Sequence, residues 1–256
     1  MNWDALISEI SPHVVRISTP TGYGTGFLAF YNHDASWCGI ATAAHVVAHA
    51  DEWQQPIRIT VEGNGSTIFL GSNDRIIFLD RPRDSAVVFF VKGNLNLPQV
   101  PITLLPANDR CAVGSEVGWL GYPEIDSEQL CFFAGTVSAR KDITNAYLID
   151  GVAINGVSGG PVFHGHDVPH IQIVGSTSAY FPNMRGGQAL PGLMRAQDIS
   201  HFQDSANKIQ STDQEAKQRF EEEQRKKAEP QSETEKAATP KPKDTVGAGA
   251  AKLKEA

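Results

Sequence analysis

The sequence predicts an all-β body followed by a charged helix and an unstructured tail, and three observations lead there. Short β-branched or alternating runs divided by Gly, Pro, Asn and Asp recur from His13 to Asp198, the pattern of a barrel or a sandwich. At Ser205 the composition changes to Glu, Gln, Lys, Arg and Ala, with neither Gly nor Pro up to Glu229. Beyond Pro230 the mixture of Pro, Ala, Thr, Lys and Glu carries too little apolar surface to offset chain entropy, which predicts disorder over 230–256.

The strand-like runs are residues 14–18, 26–31, 57–61, 75–79, 86–91, 116–120, 132–138, 146–150 and 171–174. Between the fifth and sixth, the segment carrying Gly93, Pro98, Pro101 and Pro106 has breaker composition and reads as a linker over 93–106. The helix expected over 205–229 is supported by Glu221 with Arg225, Glu222 with Lys226 and Glu223 with Lys227, acid-before-base pairs at i,i+4 worth about 0.2–0.5 kcal/mol each. Ile209 and Phe220 are its only large apolar residues, so no heptad seam supports a coiled coil. A solvated helix is expected; a protein partner for the helix and tail is the second reading.

At 256 residues and 41% hydrophobic content the chain can bury a core. Its net charge of −7 is unevenly placed: eleven basic and ten acidic residues lie from Ser205 onward, leaving eleven and nineteen before it. The front part is therefore near −8, which repels phosphate backbones and argues against nucleic acid. No apolar run reaches the ~18 residues that cross a bilayer, so no membrane contact is expected. The amino terminus carries Asp4 and Glu9 but no basic segment before an apolar stretch, unlike a signal peptide. Cys38, Cys111 and Cys131 cannot all pair and show no regular spacing, which suits a reducing compartment and a cytoplasmic location.

The most specific motif is Gly156-Val157-Ser158-Gly159-Gly160-Pro161. A serine hydroxyl is a weak nucleophile until a base takes its proton, and that base needs an orienting group, so such a serine predicts a histidine and a carboxylate elsewhere. Thr42-Ala43-Ala44-His45-Val46 follows an apolar stretch, and Asp84 opens the β-branched and aromatic run Ser85 to Val91. Asp80 competes with Asp84, but in Asp80-Arg81-Pro82-Arg83 it is expected to pair with the arginines of a loop. Ser158 is then the nucleophile, His45 the base and acid, Asp84 the group that fixes the imidazole, and the amides of Gly156 and Ser158 the oxyanion hole.

With the order His, Asp, Ser in hand, the sequence resembles the chymotrypsin-like (trypsin-like) serine peptidases, and among them the bacterial HtrA-like branch. Gly22-Tyr23-Gly24-Thr25-Gly26-Phe27 resembles the family's glycine-punctuated strand before the histidine, and Gly118-Trp119-Leu120-Gly121-Tyr122-Pro123 the start of its second half. The similarity runs over residues 11–202. It implies two six-stranded antiparallel Greek-key β-barrels, one about 11–92 and one about 107–204, within a peptidase domain over 1–204, with the active site in the cleft between them. Val46 stands where secreted members place a disulfide cysteine, and Val157 where zymogen-activated members carry an aspartate, so neither that bridge nor activation by cleavage is expected. No PDZ-like region is read after the peptidase part.

By the same resemblance Gly151, Val152 and Ala153 before the serine, and Ser178, Ala179 and Tyr180 on the substrate-receiving strand, line the primary pocket. No acid stands at its base, which disfavours Lys or Arg, and Tyr180 narrows it toward small or medium apolar side chains. The stretch His164-Gly165-His166-Asp167-Val168-Pro169-His170 holds zinc-type donors, but between apolar runs it reads as a polar hairpin turn. No metal and no cofactor is expected. The expected partner is a protein or peptide substrate, the expected activity serine endopeptidase. A catalytically silent peptide-binding module of the same fold and an esterase are the alternatives.

Overall fold

The computed structural model describes residues 2–165, 170–185 and 187–228. It opens with a short helix, α1 (Trp3–Ile10), whose Leu6 and Ile10 are fully buried. The first group of strands follows: β1 (Val14–Thr19), β2 (Gly22–Tyr31), β3 (Trp37–Thr42), then helix α2 (Ala44–Glu52), β4 (Ile57–Val61), β5 (Thr67–Leu70), β6 (Arg75–Asp80) and β7 (Ser85–Val91). The second group is β8 (Glu116–Gly121), β9 (Cys131–Lys141), β10 (Ala146–Asp150), β11 (Pro161–His164), β12 (Gln172–Arg185) and β13 (Gln188–Asp198), followed by helix α3 (Ser200–Ala228).

The mostly β architecture implied by the resemblance is present, with one difference in the first half. There the strands form a seven-stranded antiparallel sheet in the order β5-β4-β1-β2-β3-β7-β6, whereas the second half is a closed six-stranded barrel, β10-β13-β12-β11-β8-β9. One edge of the seven-stranded sheet is β5, a short strand pairing Thr67–Leu70 with β4.

The first sheet is covered on both faces, which explains why β2, β3 and β7 read as continuous apolar runs rather than alternating ones. Side chains of successive strand residues point to opposite faces. Accordingly Val15 and Ile17 join a cluster with Ile40, Ile57, Val88 and Phe90, while Val14, Phe27, Ala41 and Val87 join the cluster containing Trp119, Tyr147 and Phe163 of the barrel. Phe202 and Ile209 of α3 belong to this second cluster, and Phe202 meets Phe27 edge-on with centroids 5.8 Å apart. The start of α3 is therefore core and not solvated as the sequence suggested; Phe220 further along is exposed.

Contacts divide the chain into two units, Met1–Gln214 and Glu215–Ala256. In the second, Glu215 and Arg219 pair at 3.7 Å. The tail expected over 230–256 and the turn residues His166 and Asp167 lie outside the described residues. No described helix is long and apolar enough to cross a membrane.

Helix α2, absent from the sequence reading, is held at its far end by Arg75 of β6. The buried Arg75 guanidinium donates to the carbonyls of Leu70 at 2.8 Å, Ala50 at 3.1 Å and Gln55 at 2.8 Å. Ala50 lies in the last turn of α2, where its carbonyl also accepts from the Gln55 amide at 2.8 Å, Gln55 lies just past the helix, and Leu70 ends β5, so one guanidinium ties the helix exit to the neighbouring strand.

Candidate active site

His45 is the second residue of α2, so its amide is among the N–H groups that a helix cannot satisfy internally. That amide donates to Asp84 Oδ1 at 3.0 Å, and the ring Nδ1 lies 3.0 Å from Oδ1 and 2.9 Å from Oδ2. A carboxylate only accepts, so Nδ1 carries the hydrogen and Nε2 is left as the basic nitrogen of a ring on a residue that lines the cleft.

Asp84 reaches this position from a tight hairpin between β6 and β7. Its φ of 53° is left-handed, a conformation aspartate tolerates better than most residues and one that clusters at functional sites. Asp80 completes the hairpin by pairing with Arg83 at 3.1 Å. Burial pushes the Asp84 carboxyl up. The hydrogen bond and charge of His45, the Ser178 hydroxyl and the His45 amide together outweigh that and hold it below its ordinary value of 3.8.

Ser158 lies on the loop between β10 and β11 and shares a cleft of about 160 Å³ with His45, Ser178, Ala179 and Tyr180. Among the described residues Ser158 Oγ is not hydrogen-bonded to His45, and such bonds are commonly long in the unliganded state. The loop depends on two glycines with φ of +92° at Gly156 and +86° at Gly159. A Cβ at Gly156 would lie 2.3 Å from the Tyr122 carbonyl oxygen, and one at Gly159 would lie 2.2 Å from that of Thr25.

The other expected pocket residues divide. Ala153, Ala179 and Tyr180 line the cleft, with Ile154, Asn155 and Thr177 as lining residues that the sequence did not single out. Val152 does not line it: its side chain is 54% exposed. Gly151 packs instead beneath Trp119, whose ring would lie 2.4 Å from a Cβ there.

Ser178 lines the cleft and also has a second contact that spacing does not reveal. Its hydroxyl donates to Asp84 Oδ2 at 2.7 Å, completing three donors around that carboxylate. Among the described residues no group of three or more His, Cys, Asp or Glu is placed to hold a metal.

Comparisons with known proteins agree with this fold. Residues 24–168 match the family model described as trypsin-like peptidase domain. The crystal structure of Deg5 is similar, at 23% identity and a TM-score of 0.55 over 76% of this chain and 87% of that one. So is that of the serine endoprotease from Yersinia pestis, at 19% identity and a TM-score of 0.59 over 82% of this chain and 66% of that one. No curated protein matches the sequence. Because the family model spans more than half of the 256 residues and runs from β2 through the serine loop into the barrel, this chain belongs to the family of trypsin-like peptidase domains.

Proposed function

We propose that this protein is a serine endopeptidase that hydrolyses peptide bonds through an acyl-enzyme formed on Ser158. The observation that carries the reading is the Asp84–His45 pair at 2.9 Å, opening onto the cleft that Ser158 lines. His45 Nε2 takes the hydroxyl proton as Ser158 attacks the carbonyl, then returns it to the departing amine. Asp84 fixes the ring and stabilises the imidazolium, and the amides of Gly156 and Ser158 receive the developing negative charge. Water then deacylates the serine by the same steps in reverse.

Specificity follows from the cleft's size and lining. A volume of about 160 Å³ with Ala153, Thr177, Ala179 and Tyr180 on its walls and no acid among its lining residues favours a small or medium apolar side chain before the cleaved bond. Free thiols at Cys38, Cys111 and Cys131 support a reducing, cytoplasmic setting.

A fluorophosphonate probe tests the nucleophile: wild type is labelled and Ser158→Ala is not. Absence of labelling in folded wild type refutes the enzyme reading and leaves a peptide-binding module. A panel of protein and ester substrates separates peptidase from esterase. A peptide library with dominant cleavage after Lys or Arg refutes the specificity.

A further inference from the structure

We propose that Thr25 is a positioning residue that holds the oxyanion-binding amides of the serine loop in working orientation. The proposal rests on the serine peptidase reading above.

Carbonyl and amide of a trans peptide point in opposite directions, so a bond that fixes one carbonyl also fixes the next residue's N–H. Four consecutive carbonyls of the loop are fixed in this way. Asn155 O accepts from the Glu124 amide at 2.7 Å and Val157 O from the Gly160 amide at 3.0 Å. These aim the N–H groups of Gly156 and Ser158 the other way, and among the described residues neither amide donates to a protein acceptor. The remaining two carbonyls are both held by Thr25: Gly156 O accepts from its Oγ1 at 2.9 Å and Ser158 O from its amide at 2.8 Å.

The Gly156–Val157 peptide lies between the two oxyanion donors, and rotation there would displace both. Gly156, without a Cβ and at φ +92°, has little intrinsic barrier to such a change. The direction of the Thr25 hydroxyl is itself determined. Oγ1 accepts from the Tyr122 amide at 3.0 Å, so its single hydrogen is left for Gly156 O. Thr42 Oγ1 donates to the Thr25 carbonyl at 2.7 Å, which ties the same residue to β3. Thr25 is fully buried, so water does not replace its hydroxyl. One residue of the first sheet thus governs the geometry of a loop belonging to the barrel.

The test uses the full chain with Thr25→Val, Thr25→Ser and Thr25→Cys, read by kcat, KM, melting temperature and crystal structures of wild type and Thr25→Val. An oxyanion donor acts in the transition state, with losses of about 10²–10³ when one is removed, and misplacement by about 1 Å can cost ~10². Thr25→Val is therefore expected to lower kcat about 10–100-fold with KM within about 3-fold, and to turn the Gly156 carbonyl. Thr25→Ser, which keeps the hydroxyl, stays within about 3-fold of wild type in both constants. The pH midpoint of kcat/KM is unchanged, since Asp84 and His45 are untouched.

A Thr25→Val kcat within about 3-fold of wild type overturns the proposal. So does a Thr25→Ser variant as slow as Thr25→Val while melting like wild type. If Thr25→Val does not fold, Thr25→Cys, a small side chain with a weak donor, must be at least about tenfold slower than Thr25→Ser. If folded wild type resists the fluorophosphonate, the peptidase reading fails by itself. The Gly156 carbonyl in the Thr25→Val crystal then still decides the positioning role: rotated supports it, unchanged overturns it.

Discussion

Replacing Ser178 with alanine removes one of three donors to Asp84 and leaves the two from His45 in place. The lost contact is an O–H···O bond of 2.7 Å from Ser178, itself 4% exposed, to the Asp84 carboxylate. Hydrogen bonds to charged groups contribute about 1.5–3 kcal/mol. The site borders a cleft from which water can partly replace the hydroxyl, so a loss at the lower end is expected, about 1.5 kcal/mol in the transition state. That corresponds to about a tenfold fall in kcat/KM. The same loss in the folded state lowers the melting temperature by about 3–6 °C for a domain of this size. Steady-state hydrolysis of a peptide, with thermal unfolding alongside, measures both. Asp84→Asn is the comparator and should fall about 10⁴-fold, because the imidazole then holds the wrong tautomer. A Ser178→Ala enzyme within twofold of wild type, or one as impaired as Asp84→Asn, refutes the reasoning.

Gly159→Ala forces a Cβ to 2.2 Å from both the Thr25 carbonyl oxygen and Thr42 Oγ1 at a positive φ; a melting temperature lowered by at least about 6 °C is expected, and unchanged unfolding contradicts it. His201, on the first turn of α3, is held by burial below its ordinary value of 6.5 despite the Phe78 carbonyl and Asp80 nearby. A depressed histidine gives stability that is complete above pH 6.5 and is lost as pH falls through the lowered value, because the unfolded chain takes up the proton first. Thermal unfolding between pH 8 and 5 should therefore fall more steeply for wild type than for His201→Gln, and parallel curves count against this. Burial pushes the Cys38 thiol up to about 12, while Cys131 is only partly buried, so iodoacetamide should modify Cys131 of the native protein before Cys38, as peptide mapping reads out.

The candidate site was legible at the glycine-rich serine loop, whose positive φ at Gly156 and Gly159 needs glycine, and at His45 and Asp84, which the structure brings together although the helix carrying His45 was not anticipated. Strands β1, β4 and β10 were legible because their Val, Ile and Tyr content states a local preference. What escaped was set by distance in the chain. The Ser178 hydroxyl and the Thr25 hydroxyl look like ordinary strand positions, and their partners lie 94 and 131 residues away. Helix α2 escaped because the run beginning Ala44-His45-Val46-Val47 shows two β-branched residues and no side-chain cap, and its helical state is decided by packing of Val47 and Ala50 in the core. Val152, placed in the pocket by resemblance, is absent from the cleft lining and half exposed, and no local signal in the sequence states which way that side chain points.

The bonds made by Arg75 give the first half of the molecule a lever. His45 stands at one end of α2 and the carbonyl of Ala50 is gripped near the other, so a rigid rod links the imidazole to a guanidinium on the outer hairpin. Lysine at 75 offers a point charge instead of a planar fork and would not span all three oxygens. A conservative exchange well outside the cleft would thereby tilt the base relative to its nucleophile and change turnover without altering any group that touches substrate.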